Sequence, residues 1–90
     1  MLEKKIEQYL RDEIKKAGGL AIKFVSPGFT GLPDRICLLP GGRIWFVETK
    51  APGKDLRPRQ IAVKNILERL GFTYYKIDSK EQVKNLINGI

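Results

Sequence analysis

Apolar residues along this chain recur first at helical spacing, then in short extended runs, and then at helical spacing again. Leu2, Ile6 and Leu10 lie four residues apart and predict a first helix, which the Gly18-Gly19 pair ends. Pro40-Gly41-Gly42 separates two of the extended runs and is typical of a hairpin. The pattern predicts seven elements: a helix over residues 3–17, strands over 20–25, 34–39 and 43–50, a helix over 59–70, a strand over 72–77, and a final helix that begins after Ser79.

The element order αβββαβα indicates an α/β fold. Three strands adjacent in sequence are expected to form a meander, and the helix over 59–70 leads to a fourth strand at the sheet edge. The result is a mixed four-stranded sheet flanked by helices. Ninety residues are expected to form one standalone domain.

Composition narrows the possible chemistry. The chain contains no histidine, which excludes histidine-based zinc sites, Ser-His-Asp triads and nucleases that use a histidine base. The single cysteine, Cys37, cannot build a thiolate zinc cluster and is predicted to be a small buried hydrophobe. Catalysis would therefore depend on carboxylates, lysines or tyrosines, around a hard cation with oxygen ligands.

The charge balance indicates the kind of partner. A formal net charge of +7 suits a polyanion such as nucleic acid. No apolar run approaches the length of a membrane span, so no membrane partner is expected. A reducing cytoplasm, of a bacterial cell or of a host that expresses a phage gene, is the expected location.

Three charged residues are predicted to converge at one end of the hairpin. Glu48 and Lys50 are two apart on a strand and therefore share a face. A two-residue turn would place Asp34 opposite Thr49, whereas a loop of three or five residues places it opposite Glu48. Carboxylates that lie opposite one another repel unless a cation compensates their charge, so this pair suits a divalent cation. A cation site shared by Asp34 and Glu48 therefore predicts a loop with an odd number of residues. The alternative is that Asp34 caps a turn while Glu48 and Lys50 form a solvated salt bridge.

These residues resemble the PD-(D/E)xK nuclease superfamily, whose signature is a strand-borne Asp followed by Glu-x-Lys. They are more closely similar to the virus-type replication-repair nuclease (VRR-NUC) family. The resemblance covers nearly the whole chain and rests on five segments: Lys23–Gly28, Gly31–Arg35, Phe46–Gly53, Arg57–Gln60 and Ile77–Ser79. Thr49 stands where the family usually carries an apolar residue, and only its backbone carbonyl is expected to matter.

The resemblance implies a role for each residue at the predicted site. Asp34 and Glu48 would bind Mg²⁺ or Mn²⁺, helped by the carbonyl of Thr49. Lys50 would position or deprotonate the attacking water and stabilise the charge that builds on the phosphate. Gln60 resembles the active-site glutamine of the family, and no small-molecule cofactor is expected.

The family also carries an acid on its first helix, and three residues of this chain are candidates. Glu7 is the expected one. Glu3 lies one turn earlier on the same edge of the helix, and Glu13 lies closer to the following strand. The phosphate-tracking surface is expected to comprise five basic residues: Lys23, Arg35, Lys54, Arg57 and Arg59.

The function that the resemblance implies is a divalent-metal-dependent, structure-specific DNA endonuclease. Because so short a chain offers little surface for recognising DNA shape, a homodimer acting on branched DNA such as four-way (Holliday) junctions is expected. The alternative is a nucleic-acid-binding module with an inactive nuclease fold.

Overall fold

The computed structural model describes residues 2–90. Its seven main helices and strands follow the helical and extended spacing of apolar residues in the sequence. Their order confirms the predicted αβββαβα arrangement, and the predicted bounds hold to within two residues. The elements are α1 (Glu3–Lys16), β1 (Leu20–Lys23), β2 (Arg35–Leu39), β3 (Arg43–Thr49), α2 (Pro58–Arg69), β4 (Thr73–Ile77) and α3 (Lys80–Asn88). No helix among residues 2–90 is long and apolar enough to cross a membrane.

The strands form one mixed sheet in the order β1-β2-β3-β4. The first three are antiparallel neighbours, whereas β4 runs parallel to β3. A parallel pair requires a crossover connection, which α2 supplies. The predicted mixed four-stranded sheet, with its fourth strand at an edge, is therefore confirmed.

The β2–β3 hairpin has the odd-length loop that a shared carboxylate site requires. Leu39 pairs with Arg43, which leaves Pro40–Gly42 as a loop of three residues in a short 3₁₀ turn. Gly41 and Gly42 both have positive φ, at 83° and 77°, a conformation that favours glycine. The last paired residues are Arg35 and Val47, so the register places Asp34 next to Glu48.

One face of the sheet, here called the covered face, packs against α1 and α3. It carries the odd-numbered residues of β2, β3 and β4, including Cys37, which is buried as predicted. Three residues of α1 and one of α3 complete this core. Its buried members are Ile6, Leu10, Ile14, Cys37, Leu39, Trp45, Val47, Ile77 and Val83.

The opposite face, here called the site face, is covered only in part. α2 packs against β4 and buries Val63, and the rings of Phe24 and Phe72 contact Phe46 between them. The remainder of this face stays open to solvent. Five apolar side chains are exposed there: Leu20, Ile22, Leu38, Ile44 and Phe72.

The chain that follows β3 is tied to the parallel edge of the sheet. The amide of Lys50 donates to the carbonyl of Ile77 at 2.8 Å, and the amide of Gly53 donates to Oδ2 of Asp78 at 3.2 Å. The predicted cap of α3 is confirmed, since Oγ of Ser79 accepts from the amide of Gln82. These contacts hold the loop after Lys50 at the end of β3.

Candidate active site

The end of β3 carries the most unusual burial in the molecule. Among residues 2–90, the buried polar or charged residues are three in succession, Glu48, Thr49 and Lys50, which are 5%, 1% and 9% exposed. Burying charge is unfavourable unless each group is paired or binds a ligand. The surroundings of these side chains therefore decide what the site can do.

Asp34 is held against β3 by a single neighbouring residue. Its Oδ2 accepts two hydrogen bonds, from the amide of Thr49 at 3.1 Å and from the Thr49 hydroxyl at 2.9 Å. Both donors meet the same oxygen. This arrangement fixes the carboxylate at the sheet end and leaves Oδ1 outside both bonds.

Glu48 is only partly satisfied by protein groups. Its Oε2 accepts from the side-chain amide of Gln60 at 3.1 Å and lies 3.7 Å from Nζ of Lys50. Its Oε1 is buried and has no hydrogen-bond partner. Burial, reinforced by the negative charge of Asp34 and opposed by Lys50, raises the pKa of Glu48 from 4.5 to about 7.

These carboxylates fit a divalent cation. A hard cation prefers carboxylate oxygens, and it would satisfy the orphaned Oε1 of Glu48 while neutralising the repulsion from Asp34. No group of three or more His, Cys, Asp or Glu side chains in the described part of the chain is arranged to hold a metal by itself. Backbone oxygen, water or phosphate would therefore have to complete the coordination.

Lys50 and Gln60 lie on either side of Glu48. Lys50 shares the face of Glu48, as predicted, and its ammonium is close to the carboxylate. Gln60 lies in the first turn of α2, where its Oε1 also accepts from the amide of Arg57 at 2.8 Å. Gln60 thus joins the start of α2 to the carboxylate site.

The first-helix acids have different surroundings. Oε2 of Glu7 accepts from Nε of Arg35 at 2.9 Å, and Nη1 of Arg35 donates to the carbonyl of Ala21. Glu3 instead lines a surface depression with Lys50, and its charge contributes to the raised pKa of Glu48. Glu13 pairs with Lys16 at 2.9 Å, away from the site.

The five predicted phosphate-tracking residues fall into one half-buried residue and four exposed ones. Arg35 is half-buried in its ion pair with Glu7, whereas the other four are exposed. Two of these lie near Lys50, since Lys54 and Arg57 line the same depression as Lys50, together with Glu3 and Asp55. Lys23 ends β1, and Arg59 contacts the loop before Asp34.

Two contacts at the site were missed from the sequence. The Thr49 hydroxyl bonds Asp34, although only the backbone carbonyl of Thr49 was expected to matter. Arg59 lies over the ring of Phe29 in the preceding loop. The Thr49–Asp34 contact could have been predicted, because Thr49 places a hydroxyl close to two acids where the family usually carries an apolar side chain. The Arg59–Phe29 contact could not, because the residues are distant in sequence.

Two known proteins are similar to this chain over most of their length. A curated relative, "Putative nuclease p44" of Acyrthosiphon pisum secondary endosymbiont phage 1, is 47% identical over 79 residues, which cover 88% of this chain and 85% of that protein. A solved structure described as "VRR_NUC domain" superposes with a TM-score of 0.90 at 29% identity, covering 98% of this chain and 97% of its own. No family model matches.

The fold and the similarity to these proteins place the chain in the class of nucleases with the PD-(D/E)xK core. Within that class, the chain belongs to the VRR-NUC family of nuclease domains.

Proposed function

We propose that this chain is a divalent-metal-dependent, structure-specific DNA endonuclease that uses Mg²⁺ or Mn²⁺. The observation that carries the proposal is the buried Glu48 carboxylate beside the half-buried Asp34, with one orphaned oxygen on Glu48 and the Lys50 ammonium alongside. A folded protein would not retain this arrangement for stability alone, because the charged carboxylate is disfavoured where it lies.

Asp34 and Glu48 are the residues that would hold the metal, together with the Thr49 carbonyl. When bound, a hard cation lowers the pKa of a coordinated water and neutralises charge on the phosphate. The protein supplies orientation: Thr49 fixes Asp34, and Gln60 fixes Glu48. These hydrogen bonds set the two carboxylates before any substrate arrives.

Lys50 is the one cationic side chain held inside the described site. Its Nζ lies beside Glu48, and the depression that it lines opens to solvent. From this position it orients the attacking water and stabilises negative charge that develops on the phosphate oxygens.

We place the first-helix acid at Glu3 rather than at Glu7. Two observations support this choice: Glu3 lines the depression with Lys50, and it acts electrostatically on Glu48. Glu7 is engaged by Arg35. The assignment of Glu7 from the sequence stays a prediction, and exchanging each acid for its amide separates the two.

DNA is the expected substrate because exposed cations lie near Lys50 and near the loop that precedes Asp34. Lys54 and Arg57 line the site depression, and Lys23 and Arg59 add positive charge outside it. Such contacts to phosphate confer affinity that falls with salt and carries no base specificity. Discrimination among DNA structures must then come from shape or from additional contacts.

A homodimer is supported by the open part of the site face. Leu20, Leu38 and Ile44 are paired across three strands, and Ile22 and Phe72 extend the patch. An exposed apolar patch of a few hundred Å² suits the centre of a standard interface, which uses about 800 Å² per partner.

The decisive experiment is a digestion panel. Wild-type protein is incubated with four-way junction, flap, single-stranded and plain duplex DNA, in Mg²⁺, Mn²⁺ or EDTA. We expect metal-dependent cutting, strongest on branched DNA, which Asp34→Ala abolishes while the DNA is still bound. Binding without cutting in every metal would instead favour the inactive binding module.

A further inference from the structure

The loop between β1 and β2 presents an aromatic side chain to solvent beside the active site. Phe29 is 42% exposed in this loop, whereas Trp45, Phe46 and Tyr74 are buried in the sheet. The Arg59 guanidinium lies over the Phe29 ring, 5.2 Å from its centroid. The exposed fraction leaves ring surface for another flat partner.

The loop packs closely against α2 and is hydrogen-bonded to it. Nε of Arg59 donates to both the carbonyl and the hydroxyl of Thr30, each at 3.2 Å. Gly31 has a φ of +83°, and a Cβ there would lie 2.7 Å from Cγ of Arg59, so only glycine allows this approach. Phe29 is therefore positioned in advance, which reduces the ordering that binding would require.

Phe29 and Arg59 lie close in sequence to residues of the carboxylate site. Arg59 directly precedes Gln60, whose side chain bonds Glu48. Phe29 is five residues before Asp34, so the chain keeps their Cα atoms within about 17 Å. That distance is a few nucleotides of DNA at most.

We propose that Phe29 and Arg59 form a stacking platform for an unpaired base of the DNA next to the cleavage site. The aromatic ring stacks on any base, and the terminal nitrogens of Arg59 contact phosphate. A base within a continuous duplex reaches a protein ring only if it is unpaired and flipped out of the stack, whereas a base that is already unpaired at a branch point does not incur that cost. The platform thereby distinguishes branched from plain DNA without reading sequence. This inference rests on the proposed function, because it takes DNA as the ligand.

The test measures binding to two DNAs in EDTA. One is a four-way junction with an unpaired 2-aminopurine at the branch point, and the other is a fully paired duplex that carries the same analogue. Phe29→Ala is expected to weaken junction binding about tenfold. It should also abolish the change in analogue fluorescence and leave duplex binding unchanged. Phe29→Trp should restore both signals, whereas Phe29→Leu, which keeps apolar packing against Arg59, should not.

Two controls separate this platform from a packing role. Val25→Ala removes another exposed apolar side chain of the same loop and should change the binding affinity for neither DNA. Thermal unfolding reports whether Phe29→Ala disturbs the fold. Equal weakening on both DNAs, or no weakening on either, would overturn the platform.

A separate cleavage assay tests the proposed nuclease activity. Metal-dependent cleavage by wild-type protein is assayed in parallel on the same junction without the analogue. If cleavage occurs but junction binding does not depend on Phe29, the platform fails while the nuclease proposal stands. If no metal supports cleavage and the Phe29 dependence remains, the platform stands on a binding module.

Discussion

The two faces of the sheet are built from alternate residues of the same strands, yet they differ in nearly every physical respect. Val47 is completely buried among the side chains of α1 and α3. Glu48, the next residue, faces the other way and keeps an unpartnered oxygen. The two orphaned buried side-chain atoms of the described chain, Glu48 Oε1 and Tyr74 Oη, both belong to the site face.

The difference indicates how a small chain separates stability from chemistry. The covered face supplies a contiguous apolar core, so the site face can retain charge, open apolar surface and incomplete hydrogen bonding. Substitutions at neighbouring residues on the two faces, such as Val47 and Glu48, should therefore affect stability and cleavage separately.

The largest contrast is expected between Glu48→Gln and Val47→Ala. Loss of a metal ligand should reduce cleavage by at least about a hundredfold, because even groups that only orient ligands contribute tenfold or more. Val47→Ala should lower the free energy of unfolding by about 2 kcal/mol through lost burial and a cavity. Cleavage rates and urea unfolding of both variants check this. Retention of wild-type cleavage by Glu48→Gln would remove Glu48 from the site.

The pH dependence of stability should also come from the site face. Because folding raises the pKa of Glu48 to about 7, the folded state holds its proton more tightly than the unfolded state. The metal-free protein should therefore lose stability as pH rises from about 4.5 to about 7, by an amount of order 3 kcal/mol. Unfolding midpoints across this range give the slope, and Glu48→Gln should flatten it. A slope unchanged in the variant would assign the proton to another group.

The two helix acids should separate function from packing. Glu3→Gln is expected to weaken Mn²⁺ binding and cleavage about tenfold. Glu7→Gln should lower stability by about 1 kcal/mol or more, because it weakens a half-buried partner of Arg35. Calorimetric titration with Mn²⁺ and thermal unfolding measure the two effects. The opposite result would restore Glu7 as the metal-site acid.

Thr49 offers a finer test of how Asp34 is positioned. Thr49→Val removes the hydroxyl at nearly constant volume but keeps the amide and the carbonyl, so Mn²⁺ affinity should fall about tenfold. Thr49→Ser, which keeps the hydroxyl, should bind metal nearly as the wild type does. Equal affinity in the two variants would show that the amide alone holds Asp34.

The smallest effect on stability is expected at the open apolar patch. Leu38→Glu changes an exposed side chain, so the free energy of unfolding should change by no more than about 0.5 kcal/mol. Leu39→Ala, which truncates the buried neighbouring side chain, should lower the free energy of unfolding by roughly 2 kcal/mol or more. Sedimentation should show that Leu38→Glu is monomeric while the wild type is a dimer. A wild-type mass for Leu38→Glu would place the interface elsewhere.

Local sequence determined most of the fold and the central pair of the site. Period-two alternation set the faces of β2 and β3, and the Pro40-Gly41-Gly42 segment marked the hairpin between them. The local pattern left a two-residue and a three-residue loop open, and the structure has the three-residue loop that brings Asp34 beside Glu48. These features depend on contacts between residues that are near one another along the chain. For that reason they could be read without knowing how the helices dock.

Tertiary structure decided the rest. Glu3 and Glu7 lie on one edge of α1, and only the docking of that helix places Glu7 against Arg35 and Glu3 near Lys50. The same holds for Arg59, which meets Phe29 thirty residues away because α2 crosses the site face. Long side chains take their partners from the packing of whole elements, and the sequence pattern does not specify that packing.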